Sequence, residues 1–281
     1  MLLRYLVPLF CGTCLVAACD IHPAAIVTHT ATSTSYPTST PYPTTTPSSI
    51  ATPFPGVSPV ATPAGWEDVT SHHWAGYTFP IQDVTGVRAQ WREAAVHATD
   101  RSGAELFTWI GIGGWNDTNA NIIQAGTYDY FPLTGGQNTG FWYELIPASP
   151  VYFPLSIHPG DIIAIEITEV QPNQWRISMI DHSQPSAAVD VTVPYVSAHA
   201  YPSFVAEDPD SENATDGDNG PFYPFPQWGP IHLSQIAIRS AGEWHAAASI
   251  YAYRVTMHQE GRTIATASQL DATSSFTLTR N

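Results

Sequence analysis

From Trp66 onward, apolar positions come in short runs, some alternating with polar residues and some unbroken, with Gly, Pro, Asn and Asp falling between the runs. The pattern predicts strands at 74–79, 87–96, 106–112, 141–146, 162–170, 175–180, 187–193, 203–207, 231–238, 246–257 and 274–279. No convincing helical stripe accompanies them. The best candidate, 234–247, is interrupted by Gly242. Many short strands separated by turn signals indicate an all-β sandwich or barrel, and no solenoid-type repeat is present.

One stretch departs from the simple pattern. Residues 106–112 are mostly apolar and rich in β-branched and aromatic side chains; the run breaks at Gly113-Gly114 into a polar loop and resumes at Ile122-Ile123. Gln124 then places a primary amide inside a short apolar strand, where it must find hydrogen-bond partners or cost free energy. Alternate residues share a face, so Gln124 is expected beside Ile122 and Gly126, with the glycine leaving open space next to the amide. An uncharged donor beside a gap suits polarising a carbonyl. The plainer alternative is that Gln124 satisfies a neighbouring strand end.

The two ends of the chain differ in kind. Residues 1–19 carry Arg4, an apolar run and then small residues, as a secretion signal does, and Val16-Ala17-Ala18-Cys19 resembles a bacterial lipobox that would leave Cys19 as a lipidated amino terminus. An ordinary signal cleaved nearby is the alternative. Residues 20–65 are dominated by Thr, Ser, Pro and Ala with almost no charge, a composition that reads as a disordered stalk. The folded domain is then 66–281, and the whole describes an extracellular, cell-surface lipoprotein.

All three cysteines, Cys11, Cys14 and Cys19, lie in the signal, so the exported domain has no disulfide and no thiol nucleophile. Nine basic against 24 acidic side chains give a net charge of −15, which argues against nucleic acid or an anionic membrane surface as partner. It suits life in acid: a chain poor in Lys and Arg avoids becoming strongly cationic when its carboxylates protonate.

Familiar hydrolytic signatures are missing: no Gly-x-Ser-x-Gly elbow, no His-Glu-x-x-His helix and no aspartic-protease Asp-Thr/Ser-Gly pair occurs. The eleven histidines are scattered, with His72 and His73 directed to opposite faces of any strand, so neither metal nor cofactor is expected. Asp216-Gly217-Asp218 offers oxygen ligands for calcium but lacks the spacing of a helix-loop-helix site and reads as a solvated acidic loop. Two carboxylates stand out: Glu144 within the aromatic run Phe141-Trp142-Tyr143, and Glu207 at the end of an apolar one. At the margin of an apolar sheet, desolvation raises a carboxyl's pKa and equips it to exchange protons. The alternative for either is an edge glutamate facing water.

At these residues the chain resembles the glutamic peptidases, or eqolisins, and in particular their bacterial members. Ser71-His72-His73-Trp74-Ala75-Gly76 is similar to the family's opening segment with one inserted residue. Trp109-Ile110-Gly111-Ile112-Gly113-Gly114 and Ile123-Gln124-Ala125-Gly126 match two further blocks in order and spacing. Trp142-Tyr143-Glu144-Leu145, Pro159-Gly160-Asp161, Ser203-Phe204-Val205-Ala206-Glu207 and the closing stretches 265–270 and 275–279 complete the resemblance. Departures are Gly113, where many members carry aspartate, and Ser203 and Phe204, which replace a glutamate and a tryptophan.

The resemblance implies a two-sheet antiparallel β-sandwich of jelly-roll, concanavalin-like form, with a concave sheet carrying the catalytic residues Gln124 and Glu207. It implies a pepstatin-insensitive acid endopeptidase, in which Glu207 is general base and acid and Gln124 stabilises the oxyanion. Trp109, Trp142 and Gly126 would line the substrate cleft and Glu144 would orient the groups around it; both tryptophans read equally well as core. Protein or peptide substrates, a monomer, and membrane attachment only through Cys19 complete the expectation. The rivals are a stalk-mounted carbohydrate-binding sandwich and an inactive peptidase-like adhesin.

Overall fold

The computed structural model describes residue 54 and residues 57–98, 102–115, 121–209 and 222–281. The predicted signal, Cys19, most of the stalk and the Asp216–Asp218 stretch lie outside the described residues. In chain order the strands are β1 (Trp66–Ser71), β2 (Trp74–Thr78), β3 (Val84–Arg92), β4 (Val96–His97), β5 (Ala104–Gly113), β6 (Ile122–Phe131), β7 (Asn138–Leu145), β8 (Val151–Pro154) and β9 (Ile162–Gln171). They continue as β10 (Gln174–Asp181), β11 (Ala188–Pro194), β12 (Pro202–Glu207), β13 (Gln227–Trp228), β14 (Ile231–Ser240), β15 (Glu243–Ala246), β16 (Ala252–Gln259), β17 (Arg262–Ala267) and β18 (Phe276–Arg280).

Hydrogen bonds join most of them in one series, β11-β10-β9-β3-β14-β18-β17-β16-β2-β12-β5-β6-β7-β8, with β1 beside β16 and β15 beside β14. Among the described residues every pairing is antiparallel except β1 with β16. The series folds over on itself. β3 packs against β5 and β12, and β9 and β10 pack against β6, so the two layers of the sandwich are halves of one continuous ladder joined through β18, β17 and β16. Between them lies the main core, with Tyr77, Phe79, Trp91, Ile110, Phe141, Trp175 and Phe204 all almost completely buried. Burial of each such side chain stabilises the fold by about 1.5–3 kcal/mol.

The helical candidate at 234–247 is instead the hairpin β14–β15: Ala241 and Gly242 both take left-handed backbone (φ 49° and 83°), as a two-residue turn between Ser240 and Glu243 demands. The single strand expected at 246–257 is divided, because Ala247–Ser249 forms a short 3₁₀ turn before β16. Strands β1 and β17 carry no strong apolar run and escaped the pattern, as did β8, a short apolar run, Val151-Tyr152-Phe153, that ends at Pro154. The last part of the predicted stalk lies along the domain: Val60 N–H donates to Ala272 O (3.0 Å), Ala64 N–H to Ala248 O (2.8 Å), and the Arg88 guanidinium lies over the rings of Phe54 and Trp244.

Candidate active site

Because alternate strand residues share a face, the pairing register sorts β2, β12, β5, β6 and β7 into rows of side chains. Thr78, Ser203, Gly111, Gln124 and Glu144 form one row; Gly76, Val205, Trp109, Gly126 and Trp142 the next; Trp74, Glu207, Phe107, Tyr128 and Gly140 the third. All of them stand on the side away from the inter-layer core, whose members Ala75, Ile110, Ile123, Phe141 and Phe204 alternate with them. Phe107, Trp109, Ile122, Tyr128, Trp142 and Val205 make a second apolar cluster there. Gln124 and Glu207 therefore share one face, with β5 between their strands and one row between their rows.

In a flat sheet, at about 3.3 Å per residue, those outer rows would be roughly 13 Å apart. Trp109 sits in the middle row and bridges them. Its indole Nε1 donates to Oε2 of Glu207 at 2.6 Å. At the far side of the ring, Cζ3 comes within 3.0 Å of the position a side chain on Gly111 would occupy, as does Cβ of Gln124. An indole N–H only donates, so Oε2 of Glu207 must be the accepting oxygen.

Gln124 is 6% exposed, and its Nε2 donates to Oε2 of Glu144 at 2.8 Å, which is the partner a buried amide requires. Burial raises the Glu144 carboxyl above the usual glutamate range, and the Gln124 amide opposes that shift. Since the NH₂ group carries two protons, one bond to Glu144 leaves a second N–H to direct at a ligand.

Two expectations change here. No open space lies beside Gly126: a Cβ at that position would be 2.1 Å from Thr108 O and 2.7 Å from Trp109 Cβ, so the glycine admits the backbone of β5 rather than a substrate. Gly76 plays the same part on the other side, its missing Cβ leaving room for Phe204 O at 2.1 Å. Gly126→Ala is expected to destabilise the protein by about 3 kcal/mol or more in urea unfolding, as strained overpacking against backbone does; a variant within about 1 kcal/mol of the parent would contradict this close approach.

Trp142, only 2% exposed, gives its indole N–H to Thr127 O at 3.2 Å and belongs to the aromatic cluster, with little surface to offer a ligand. Trp109 is 4% exposed. Neither is the open stacking platform that the carbohydrate-binding alternative needs. The pattern of apolar runs missed an aromatic group beside Trp74, the cross-strand neighbour of Glu207: Trp115, just after the Gly113-Gly114 break, stacks on Tyr253 (5.4 Å) and Tyr201 (6.4 Å) and meets Trp74 edge-on (5.8 Å). A tryptophan directly after a Gly-Gly break was the available signal. Among the described residues, no three His, Cys, Asp or Glu side chains are grouped to hold a metal ion.

The sequence profile of the peptidase A4 family matches residues 72–280. A crystal structure of scytalido-glutamic peptidase with a transition-state analogue inhibitor is similar over 76% of this chain and 100% of its own, at 19% identity and a TM-score of 0.61. SCP-B, a member of the eqolisin family of peptidases in complex with the tripeptide Ala-Ile-His, is similar over the same shares at 18% identity and a TM-score of 0.59. These likenesses establish the β-sandwich fold. No curated protein sequence matches the chain.

Proposed function

Because this chain belongs to the peptidase A4 family, the glutamic peptidases or eqolisins, we propose that it is an acid endopeptidase with Glu207 and Gln124 as its working pair. The observation that carries the reading is the register of β12, β5 and β6, which sets an acid and an amide on one face with Trp109 spanning them. Glu207, its Oε2 held by Trp109, takes a proton from water; the hydroxide attacks the peptide carbonyl; the second N–H of Gln124 meets the developing oxyanion; and Glu207 returns the proton to the leaving amine. Glu144 keeps the amide from rotating away. Acid conditions agree with the chain's charge of −15 and with a pair of buried, proton-holding carboxyls, Glu93 and Asp129.

In this reading the substrates are unfolded protein segments or peptides that lie extended across the strands. The enzyme is a monomer displayed outside the cell through the signal, a lipidated Cys19 and the stalk. Purified protein is expected to cleave an unfolded protein at about pH 3 to 4 and to resist both pepstatin and chelators. Gln124→Ala should lower kcat by about 10²–10³, the usual cost of one oxyanion donor. A folded parent protein that cleaves nothing between about pH 2 and 6 would overturn the reading.

A further inference from the structure

Glu207 is the last residue of β12, at the point where the strand ladder stops holding the chain. The next residue, Asp208, is only 1% exposed, and burying a carboxylate is costly unless it is bound. Its backbone N–H donates to His73 O at 2.7 Å, and its Oδ2 accepts the amide of Gln259 at 2.8 Å. The same Gln259 Nε2 also donates to His72 O at 2.9 Å, and His72 Nδ1–H donates to His258 O at 2.8 Å. Three segments distant in sequence are thereby tied at one point: the end of β12, the turn between β1 and β2, and the end of β16.

We infer that Asp208 and Gln259 are positioning residues, a clamp just beyond the last rung of β12 that fixes where Glu207 presents its carboxylate to Trp109. The inference uses the peptidase reading for its kinetic readout only. Gln259 spends both amide protons on this junction, and without it the Asp208 carboxylate and the His72 carbonyl each lose a donor. Glu207, one peptide unit away, then shifts with the slackened junction, although Asp208 N–H still reaches His73 O.

The test combines kinetics with the indole Nε1–H resonance of Trp109, assigned by its loss in Trp109→Phe and calibrated by its position in Glu207→Ala. In Gln259→Leu and in Asp208→Ala the resonance should move most of the way to the Glu207→Ala position. In both, kcat should fall about 10- to 100-fold, the scale of a roughly 1 Å misplacement, with KM within about twofold. Asp208→Asn keeps an accepting oxygen for Gln259 and should stay near the parent on both readouts. If Asp208→Ala does not fold, Gln259→Leu, altered at a half-buried site, carries the test. An unmoved resonance in folded Gln259→Leu overturns the clamp, even where the parent cleaves protein. A moved resonance in a parent that cleaves nothing keeps the clamp and rejects the peptidase reading.

Discussion

Replacing Glu207 by glutamine is expected to lower kcat by about 10³–10⁴, the upper range of what a positioned acid-base group contributes. The carboxylate has two tasks in the proposed reaction: accepting a proton from water and delivering one to the leaving nitrogen. A glutamine of the same shape can do neither. Its amide oxygen can still accept the Trp109 indole N–H, now held at 2.6 Å by Glu207, so the loss should appear in kcat with the melting temperature almost unchanged. Measured at about pH 3 to 4, a variant retaining more than a tenth of parent activity would show that another group carries the proton. Combined with Gln124→Ala, the loss should be smaller than the product of the two single effects, because the residues act on one transition state.

The second large effect is on stability against pH, and it comes from a carboxyl pair sealed between the layers. Glu93, just past β3, and Asp129, on β6, are 5% and 6% exposed. Trp91 Nε1 donates to Glu93 at 3.1 Å, and Gln137 Nε2 donates to Asp129 at 2.6 Å. Burial, followed by the nearby Asp129 charge, raises Glu93 from 4.5 to about 8, and burial raises Asp129 from 3.8 to about 7. Two carboxylates so placed cannot both ionise cheaply.

An acid whose pKa is higher in the folded state binds its proton more tightly there than in the unfolded chain. The stabilisation is complete below the unfolded values, near pH 4, and is lost as pH rises toward about 8. Over that window the melting temperature should drop by roughly 10–20 °C, the equivalent of several kcal/mol for a domain of this size. Glu93→Gln can still accept from Trp91 but no longer titrates. It should flatten the profile and leave the variant more stable than the parent at about pH 8, with no such advantage at about pH 4. Calorimetry across this range decides it, and a parent melting temperature independent of pH would refute the account.

Asp129 was legible in principle. Along β6 the period-two pattern places it with Ile123, Ala125, Thr127 and Phe131 on the inward face, where a carboxyl is out of character. Glu93 was legible in the same way, since in the strand expected at 87–96 alternation places it with Val87, Ala89 and Trp91 on the inward face. Its partner is recruited from another layer by folding alone.

The sequence by itself determined that this is an all-β chain, that an amide interrupts an apolar strand at Gln124, and that the blocks around Gln124, Glu144 and Glu207 stand in the order of a glutamic peptidase. The first two are written in residues close together, through backbone alternation and turn chemistry, and the third in short motifs strung along the chain. Tertiary structure alone decided which row faces which, that Gly126 makes room for Thr108 O rather than for a ligand, that Trp109 reaches Glu207, and that Asp208 meets Gln259. Each of these depends on strand register between segments far apart in the chain. Register follows from the packing of the whole sheet, so no single segment contains it.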